Sequence, residues 1–517
     1  MIETVIKNLM VELVPEVAGV NFSVEHPDNL AHGDYATNVA LILGKKLNQN
    51  PLALAQKIAT QFKARPWLDR VEVASPGFIN FYLSPSFFAE RLSEALKQGN
   101  NYGRSEARGK EKVLVEYTDP NPFKEFHIGH LMSNTIGEAM ARLIASQGAE
   151  IKRACYQGDM GMHVAKAIWG SEKLKTKNSK EIKDWGQAYA CGSEAYEGDE
   201  ISKKEINALN KKIYDRSDEE INKIYDAGKQ VSLDYFETIY QRLGTKFDYY
   251  FFESESGPVG QKLVQDNLEK IFEKSAGAVI FPGEKYDLHT RVFINSEGLP
   301  TYEAKELGLA KLKLEKYEAD QSIVITGNEV ASYFAVLKKV LTLILPDLAG
   351  KLRHLPHGML RLPLGKMSSR TGNIITAEAL IEEVKMAIKE KVAERNFTDE
   401  EKEWATEAVT LAAIKYSILR PSPGRDIIFD LDKSISFEGD SGPYLQYALV
   451  RALAVLKKGE EAKIVPSLNQ APTEINELTR RLTHFPRGVS AAAERHAPNL
   501  LVTYLTELAS TFNAYYA

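Results

Sequence analysis

The chain has 517 residues, of which 44% are hydrophobic and 26% are charged, and its formal net charge is −5. This composition is typical of a globular protein with several domains, and the charge argues against a protein that coats nucleic acid indiscriminately. No run approaches the roughly 20 apolar residues that span a bilayer, and the first residues do not resemble a secretion signal. Two cysteines, Cys155 and Cys191, are too few for a zinc cage. We therefore expect a cytoplasmic protein with no membrane segment and no protein-held metal.

The first segment, residues 1–108, alternates helical and strand patterns. Apolar residues between Leu52 and Phe62 recur at helical spacing. The runs Val71–Val73 and Phe78–Leu83 are typical of strands, and a Pro-Gly turn pair separates them. The pattern predicts a separate α/β domain at the N-terminus.

The middle segment, residues 109–380, repeats strand-like runs with helical patterns between them. The runs are Val113–Tyr117, Ile151–Tyr156 and Ser322–Thr326. This alternation predicts a Rossmann-like parallel sheet with crossover helices. Between about residues 171 and 255 the chain becomes charged and helical, which predicts a helical insertion within the α/β fold.

The last segment, residues 381–517, has helical patterns throughout. Its final apolar repeat continues up to Ala517 with no capping signal after it. We therefore expect an all-α domain that is C-terminally incomplete.

Helix starts in the last two segments carry capping boxes, in which a hydroxyl and an acid three residues later satisfy free backbone N–H groups. The three boxes are Ser202–Glu205, Ser217–Glu220 and Thr398–Glu401. We expect a helix to begin at each of them.

The most informative motif is Pro120–His130, which joins a strand pattern to a helical pattern and contains His127, Gly129 and His130. A helix start offers unpaired N–H groups and a partial positive charge to an anion, and glycine permits a close approach of a phosphate. Two imidazoles at this turn can donate hydrogen bonds to oxygens that gain charge during a reaction. The motif by itself also fits an ordinary helix cap.

A second motif lies far downstream, at Leu364–Asn373, and carries Lys366 and Arg370 between glycines. A loop of this kind can close on a triphosphate and neutralise a leaving pyrophosphate. An ordinary basic surface turn would have the same composition.

Together the motifs resemble the two signatures of class I aminoacyl-tRNA synthetases, His-Ile-Gly-His and a Lys-Met-Ser-Lys-Ser loop. The first matches at residues 127–130, while the second reads Lys-Met-Ser-Ser-Arg at residues 366–370, so Arg370 replaces the missing lysine. The longer form of the first motif, with Asn121 and Lys124, is similar to the arginyl-tRNA synthetase branch. Further matches at residues 32–38, 76–81 and 437–447 extend the resemblance along nearly the whole chain.

The resemblance implies that residues 1–108 form an added domain that contacts the tRNA elbow, and that residues 381–517 form a helical anticodon-binding domain. It also implies a role for each of several residues. The catalytic residues would be His127, His130, Lys124, Lys366 and Arg370. ATP would contact Gly129, His127, His130, Gly327, Asn328, His357, Met359 and Lys366. The arginine substrate would be held by Glu116, Asn121, Tyr302 and Glu306, and tRNA by Asn80, Phe81, Tyr444, Gln446 and Arg451.

Three positions depart from the pattern of that branch. Glu306 stands where aspartate is commoner, Met132 where arginine is frequent, and Val330 where glutamine or histidine is frequent. These departures keep open a non-catalytic or impaired relative that binds tRNA or senses arginine. A small-molecule nucleotidyltransferase and a synthetase for another amino acid are further alternatives.

The resemblance implies a monomer that attaches arginine to tRNA-Arg in two steps. ATP would first activate arginine as arginyl-adenylate, and the 3′ end of the tRNA would then accept the arginyl group. Mg²⁺ is expected to accompany ATP, held by phosphates and water, so we assign it no protein ligands.

Overall fold

The computed structural model describes residues 2–27, 29–361, 375–465 and 475–517. Two compact units make up the chain. The first comprises Met1–Arg104, Ala448–Ser490 and Glu507–Ala517, and the second Ser105–Tyr447 and Ala491–Thr506. The grouping of C-terminal helices with the N-terminal segment was not expected from the sequence, and the predicted domain boundaries stay a prediction.

The N-terminal segment is an antiparallel sheet covered by helices. Its elements are α1 (Ile2–Leu13), β1 (Val24–Glu25), β2 (Tyr35–Thr37), α2 (Val39–Leu47), α3 (Pro51–Ala59), β3 (Leu68–Ala74), β4 (Phe78–Leu83) and α4 (Pro85–Gln98). The strand order is β1-β2-β4-β3. Asn50 caps α3, because its side chain accepts from the N–H groups of Leu52 and Ala53. The predicted N-terminal α/β fold is confirmed.

The middle segment contains the parallel sheet and an insertion. Its elements are β5 (Lys112–Glu116), α5 (Ile128–Ala145), β6 (Glu150–Gln157), α6 (Met162–Leu174), α7 (Ile182–Gly198), α8 (Glu200–Asp215), α9 (Glu219–Leu243), β7 (Tyr249–Phe252), α10 (Glu253–Asp266), β8 (Glu273–Ser275), β9 (Ala278–Phe281), β10 (Arg291–Ile294), α11 (Tyr302–Lys316), β11 (Gln321–Gly327), α12 (Ala331–Ile344), α13 (Pro346–Lys351), β12 (Leu352–His357) and β13 (Leu360–Arg361).

Five of these strands form one sheet, in the order β12-β11-β5-β6-β7, and every neighbouring pair is parallel. The three strand-like runs of the sequence all lie in this sheet, so the predicted parallel fold is confirmed. The chain order reverses between β5 and β11, which is where such sheets bind ligands at the carboxyl ends of their strands.

The helical insertion differs from the prediction at its C-terminal end. Helix α9 ends at Leu243, and Tyr249–Phe252 form the edge strand β7 of the parallel sheet. Tyr249–Phe252 is aromatic and flanked by polar residues, so periodicity did not separate it from the helical segment. A three-stranded antiparallel sheet of β8, β9 and β10 follows, which the sequence did not predict.

The last segment is helical, as predicted. Its elements are α14 (Ala377–Ala393), α15 (Asp399–Leu419), β14 (Ile427–Ile428), α16 (Leu431–Ser434), α17 (Gly442–Glu461), α18 (Glu477–Glu494) and α19 (Pro498–Tyr516). The short strand β14 pairs with β13. Within the first unit, the ring of His484 on α18 lies 3.7 Å from that of His26, measured between centroids.

The structure contains one of the three predicted capping boxes. Thr398 and Glu401 form the predicted box at α15. A helix also begins close to the other two predicted boxes, at Glu200 and at Glu219, but the predicted capping residues were wrong, because Asp199 caps α8 and Asp218 caps α9. In both cases an aspartate accepts from two backbone N–H groups, so the nearby serine is not needed as the cap.

Helices α10 and α11 pack so closely that only glycine fits at the contact. A Cβ on Gly308 would lie 2.0 Å from the carbonyl oxygen of Ser256, and a Cβ on Gly260 would lie 1.7 Å from that of Ala304. The two glycines therefore fix the position of α11.

Gly308→Ala should lower the free energy of unfolding by about 1–3 kcal/mol, because the helices must separate to admit the methyl group. Thermal unfolding of the purified protein measures the effect. Gly198→Ala is the matched control, since an added Cβ there meets nothing within 4 Å. Equal midpoints for the two variants would contradict the close packing of α10 and α11.

Candidate active site

A cavity of about 820 Å³ opens at the carboxyl ends of β5 and β11. Of the residues predicted for ATP, His127, Gly129, His130, Gly327, His357 and Met359 line it. Of those predicted for arginine, Asn121, Tyr302 and Glu306 line it. The structure therefore brings most of both predicted sets into one cavity.

The loop between β5 and α5 has an unusual backbone. Thr118, Asp119 and Phe123 adopt positive φ angles of 84°, 48° and 66°, a region that non-glycine residues seldom occupy. Such a conformation persists only where surrounding contacts hold it in place.

Buried hydrogen bonds hold this loop. The N–H groups of Thr118 and Phe123 donate to the hydroxyls of Ser133, at 3.0 Å, and Ser232, at 2.8 Å. The carboxylate of Asp119 accepts from the N–H of Tyr156, at 2.8 Å. The loop is thus bound to α5, α9 and β6, and Asn121 is held at the cavity.

The two signature histidines cap helix α5 reciprocally. Nδ1 of His127 accepts from the N–H of Gly129, at 3.1 Å, and Nδ1 of His130 accepts from the N–H of His127, at 3.3 Å. A neutral imidazole carries its proton on the other nitrogen, so Nε2–H of each ring is left to donate. The rings are stacked with their centroids 3.5 Å apart.

Both imidazoles are neutral at neutral pH. Burial and the charge of Lys124 lower the pKa of His127 to about 4. Burial, His127 and Lys124 lower the pKa of His130 well below its usual value. The pair therefore acts as two hydrogen-bond donors without carrying a charge. Gly129 is required beside them, because a Cβ there would lie 2.9 Å from Cε1 of His127.

The acidic part of the cavity is centred on Glu306. Burial and the negative charge of Glu116 raise the pKa of Glu306 to about 8, although Lys313 opposes this shift. Burial and Glu116 also raise the pKa of Asp119, which lines the same cavity. Lys305 does not pair with Glu306, because its ammonium lies 2.6 Å from the carboxylate of Glu253.

Three predicted residues do not line the cavity. The carboxylate of Glu116 lies 2.8 Å from the ammonium of Lys313, and its side chain is 1% exposed. The predicted contact of Glu116 with the substrate is therefore corrected to a supporting ion pair. The ammonium of Lys124 lies 4.0 Å from the ring centre of Tyr189. Asn328 is not in the cavity lining, but its neighbour Glu329 is.

Lys366 and Arg370, the basic residues of the second motif, lie outside the described residues. Their predicted roles stay predictions.

The residues predicted to contact tRNA are buried, half-buried or hydrogen-bonded to other groups of the protein. Asn80 and Phe81 are 3% and 0% exposed in the core of the N-terminal domain, so their side chains cannot touch an RNA and that prediction is corrected. The amide of Gln446 donates to the carbonyl of Ala408 at 3.1 Å, and Tyr444 is half-buried. The guanidinium of Arg451 donates to the side-chain amide oxygen of Asn513 at 3.0 Å.

Helix α17 has three exposed leucines at helical spacing. Leu449, Leu453 and Leu456 are between 54% and 62% exposed.

The sequence missed several lining residues. They are Thr118, Asp119, Tyr156, Arg291, Glu303, Thr326, Glu329, Tyr333 and Phe334. Thr118, Asp119 and Thr326 follow or end strands of the sheet, and this position was the signal available from the sequence. Arg291 lies in β10, which was not predicted, and Glu303 lies at the start of α11. No sequence pattern pointed to either residue.

Comparison with protein families agrees with this arrangement. Residues 91–431 match the model of class I tRNA synthetase (R) catalytic domains, residues 1–83 the arginyl tRNA synthetase N-terminal domain, and residues 445–517 the DALR anticodon-binding domain. The chain belongs to the arginyl-tRNA synthetase family of class I. The predicted resemblance and fold class are therefore confirmed.

Individual relatives match along nearly the whole chain. The arginine–tRNA ligase of Treponema pallidum is 28% identical over 99% of this chain and 90% of its own length. That of Clostridium kluyveri is 30% identical over 95% of this chain and 88% of its own length. The arginyl-tRNA synthetase structure from Thermus thermophilus has a TM-score of 0.78 and 25% identity, covering 100% of this chain and 92% of that one.

The described residues contain no group of three or more His, Cys, Asp or Glu side chains arranged to hold a metal ion. Among the described helices, none combines the length and apolar character that a bilayer span requires.

The His127 imidazole should remain neutral as the pH falls, until the pH approaches its pKa of about 4. Its Cε1 proton signal, identified as the one lost in His127→Asn, reports the titration in an NMR series. The same histidine in urea-unfolded protein should titrate near the ordinary value of about 6.5. Coincident curves would show that burial and the charge of Lys124 do not hold the ring in its neutral form.

Proposed function

We propose that the cavity activates arginine with ATP and then transfers the arginyl group to tRNA-Arg. The observation that carries the proposal is the pair of neutral imidazoles, with Nε2–H groups left free by the α5 cap, beside the acidic group Glu306 in one cavity. A family of ligases that joins arginine to tRNA requires both features. Phosphate oxygens that gain charge need hydrogen-bond donors, and the guanidinium of arginine needs an acid.

In the first step, a carboxylate oxygen of arginine attacks the α-phosphorus of ATP, and pyrophosphate leaves. The Nε2–H groups of His127 and His130 donate to phosphate oxygens that gain charge in the transition state. Lys124, Lys366 and Arg370 neutralise the triphosphate. In the second step, a terminal ribose hydroxyl of the tRNA attacks the activated carbonyl, and AMP leaves.

The arginine side chain would be bound by Glu306 and Tyr302 on α11. A guanidinium has five donors and no acceptor, so it needs carboxylate or carbonyl oxygens around it. Asn121, which lies on the strained loop, would contact the same substrate. We add Asp119 to this set, because its buried carboxyl lines the cavity on the side of β6.

The remaining partners follow from this reaction. ATP is proposed to enter as its Mg²⁺ complex, with the ion held by phosphates and water and with no assigned protein ligand. Because the tRNA substrate is used in protein synthesis, we propose that the chain acts in the cytoplasm. We also propose that it acts as a monomer.

His130→Ala should slow arginyl-adenylate formation by about 100- to 1,000-fold, the usual effect of losing one donor to a developing charge. Arginine-dependent exchange of pyrophosphate into ATP, with tRNA present, measures this step. His289→Ala, at an exposed histidine outside the cavity lining, is the control and should retain the wild-type rate. Thermal unfolding of both variants shows whether the fold persists.

Near-normal exchange by His130→Ala would remove the histidine from the mechanism. If the wild-type protein binds tRNA and arginine tightly but never exchanges pyrophosphate, the non-catalytic alternative is correct. Met132 and Val330, which place apolar groups in the cavity lining, are the observations that favour it.

Arginine affinity should rise with pH up to about 8, the pKa of Glu306 in the empty cavity. Because this pKa is raised, the carboxyl holds a proton below that pH, and binding of the guanidinium must release it. Calorimetric titrations of arginine across this range measure the affinity, and buffers of different ionisation enthalpy measure the proton release.

Glu306→Gln should weaken arginine binding, abolish the rise with pH and leave ATP affinity unchanged. Glu303→Gln is the matched control on the same helix, and its pH dependence should persist because Glu303 pairs with Arg291. Equal losses of arginine and ATP affinity in Glu306→Gln would place this acid outside the amino-acid pocket.

A further inference from the structure

Four polar side chains lie along one face of the inserted helix α9. They are Tyr225, Lys229, Ser232 and Tyr235, which follow one another at intervals of four, three and three residues and therefore share one side of the helix. Each of them is hydrogen-bonded to a loop at the carboxyl ends of the parallel strands. Ligands bind at those ends of a parallel sheet, so this face of α9 contacts the segments that build the cavity.

Ser232 and Tyr235 hold the loop that carries the two signature histidines. The N–H of Phe123 donates to the hydroxyl of Ser232 at 2.8 Å. The N–H of Phe126, which immediately precedes His127, donates to the hydroxyl of Tyr235 at 3.3 Å. The two hydroxyls are three residues apart on the helix, and the two N–H groups are three residues apart on the loop. The helix is therefore a rigid template for the backbone of the loop.

The hydroxyl of Tyr235 also connects the histidine turn to the start of α14. It donates to the carboxylate of Glu378, in the first turn of α14, at 2.6 Å. Burial and this hydrogen bond raise the pKa of Tyr235, so the hydroxyl keeps the proton that it donates and offers a lone pair to Phe126. The N–H of Ala377 donates to the carbonyl of Phe126 at 2.7 Å. Both backbone groups of Phe126 are thus held, one by α9 and the other by α14.

Tyr225 and Lys229 hold a different loop, through the buried carboxylate of Asp159. One oxygen of Asp159 accepts from the hydroxyl of Tyr225, at 2.8 Å, and from the ammonium of Lys229, at 2.7 Å. Asp159 follows Gly158 directly after the end of β6. A Cβ on Gly158 would lie 2.2 Å from Oδ1 of Asn121, so the Asn121 side chain packs directly on this backbone. The position of Asp159 therefore affects the position of Asn121 in the cavity.

Helix α9 approaches the histidine loop closely. A Cβ on Gly228 would lie 2.4 Å from Cε1 of Phe123. Phe123 is one of the loop residues with a positive φ, and a strained residue keeps its conformation only while its contacts hold it. A shift of about 1 Å in a reacting geometry can cost about 100-fold in rate. Losing a contact with α9 is therefore expected to change catalysis without unfolding the chain.

We propose that this face of α9 positions two parts of the active site separately. Tyr235 acts on the histidine turn and hence on the rate of adenylate formation. Tyr225 acts through Asp159 on Asn121 and hence on the affinity for arginine. Neither tyrosine is among the residues that line the cavity, so both are positioning residues. The inference rests on the proposed function, because it assumes that the histidines serve the nucleotide and that Asn121 serves arginine.

Tyr235→Phe and Tyr225→Phe are a matched pair, because each removes one hydroxyl from the same helix face and keeps the ring. Tyr235→Phe should lower the rate of pyrophosphate exchange at saturating substrates, with tRNA present, by about 10- to 100-fold and leave arginine affinity unchanged. Tyr225→Phe should weaken arginine binding by about 3- to 10-fold, as expected for one lost hydrogen bond, and leave the saturated rate unchanged. Calorimetric titration measures the affinity.

Tyr317→Phe is the control for both variants. The hydroxyl of Tyr317 donates to Glu150 at the amino end of β6, the end away from the cavity. Its loss should change neither the exchange rate nor the arginine affinity. Thermal unfolding of all three variants shows whether each keeps the wild-type fold, so that a change in rate or affinity can be assigned to position.

Amide exchange at Phe126 tests the contact without any catalysis. Glu125–Phe126 is the only Glu-Phe pair in the sequence. Glutamate labelled at its carbonyl carbon and phenylalanine labelled at its nitrogen therefore give a single NMR signal, that of the Phe126 amide. This amide should exchange with solvent faster in Tyr235→Phe, because its N–H loses the acceptor, and at the wild-type rate in Tyr225→Phe.

Three outcomes would overturn the proposal. An unchanged exchange rate of the Phe126 amide in Tyr235→Phe would show that the hydroxyl does not hold the turn. Equal losses of rate and arginine affinity in both variants would mean that α9 supports the fold in general. Wild-type rate and affinity in both would show that the site does not depend on these hydroxyls. If the wild-type protein never exchanges pyrophosphate, the proposed function fails, while amide exchange and arginine affinity still test the positioning.

Discussion

The strained loop between β5 and α5 is the constraint on which the candidate site depends. Three non-glycine residues in left-handed conformation direct the chain from the end of β5 into the cap of α5. Hydrogen bonds to Ser133, Ser232 and the backbone of Tyr156 compensate for this strain. Because those partners lie on three different elements, the loop keeps its shape only when the sheet, α5 and the inserted helix α9 are all in place.

The cap of α5 then determines the chemistry of the histidines. A histidine pair that accepted from water would be free to change tautomer or to become charged. Here each Nδ1 is occupied by a backbone N–H, and burial excludes the charged form. The fold thus prepares two donors before any substrate binds, so little reorganisation is needed when charge develops.

Sequence reasoning identified the parallel sheet, because the strand-like runs of β5, β6 and β11 alternate with helical patterns along the chain. The resemblance placed His127, His130, Tyr302 and Glu306 in one predicted site, and the structure brings all four to one cavity. It did not distinguish Glu116 from Asp119, because the burial of one by Lys313 depends on a contact 197 residues away in sequence. Asn80 and Phe81 were misplaced for a similar reason. They point to opposite faces of β4, and both faces are covered there by contacts that the resemblance does not reveal.

The raised pKa of Glu306 affects which cations bind in the pocket when arginine is absent. A carboxyl that keeps its proton exerts little attraction on K⁺ or Na⁺, which are far more abundant in a cell than any amino acid. Only a ligand whose donors match the geometry of the pocket recovers the cost of removing that proton. Burial and the negative charge of Glu116 therefore keep the carboxyl of Glu306 protonated at neutral pH, which weakens its attraction for competing inorganic cations.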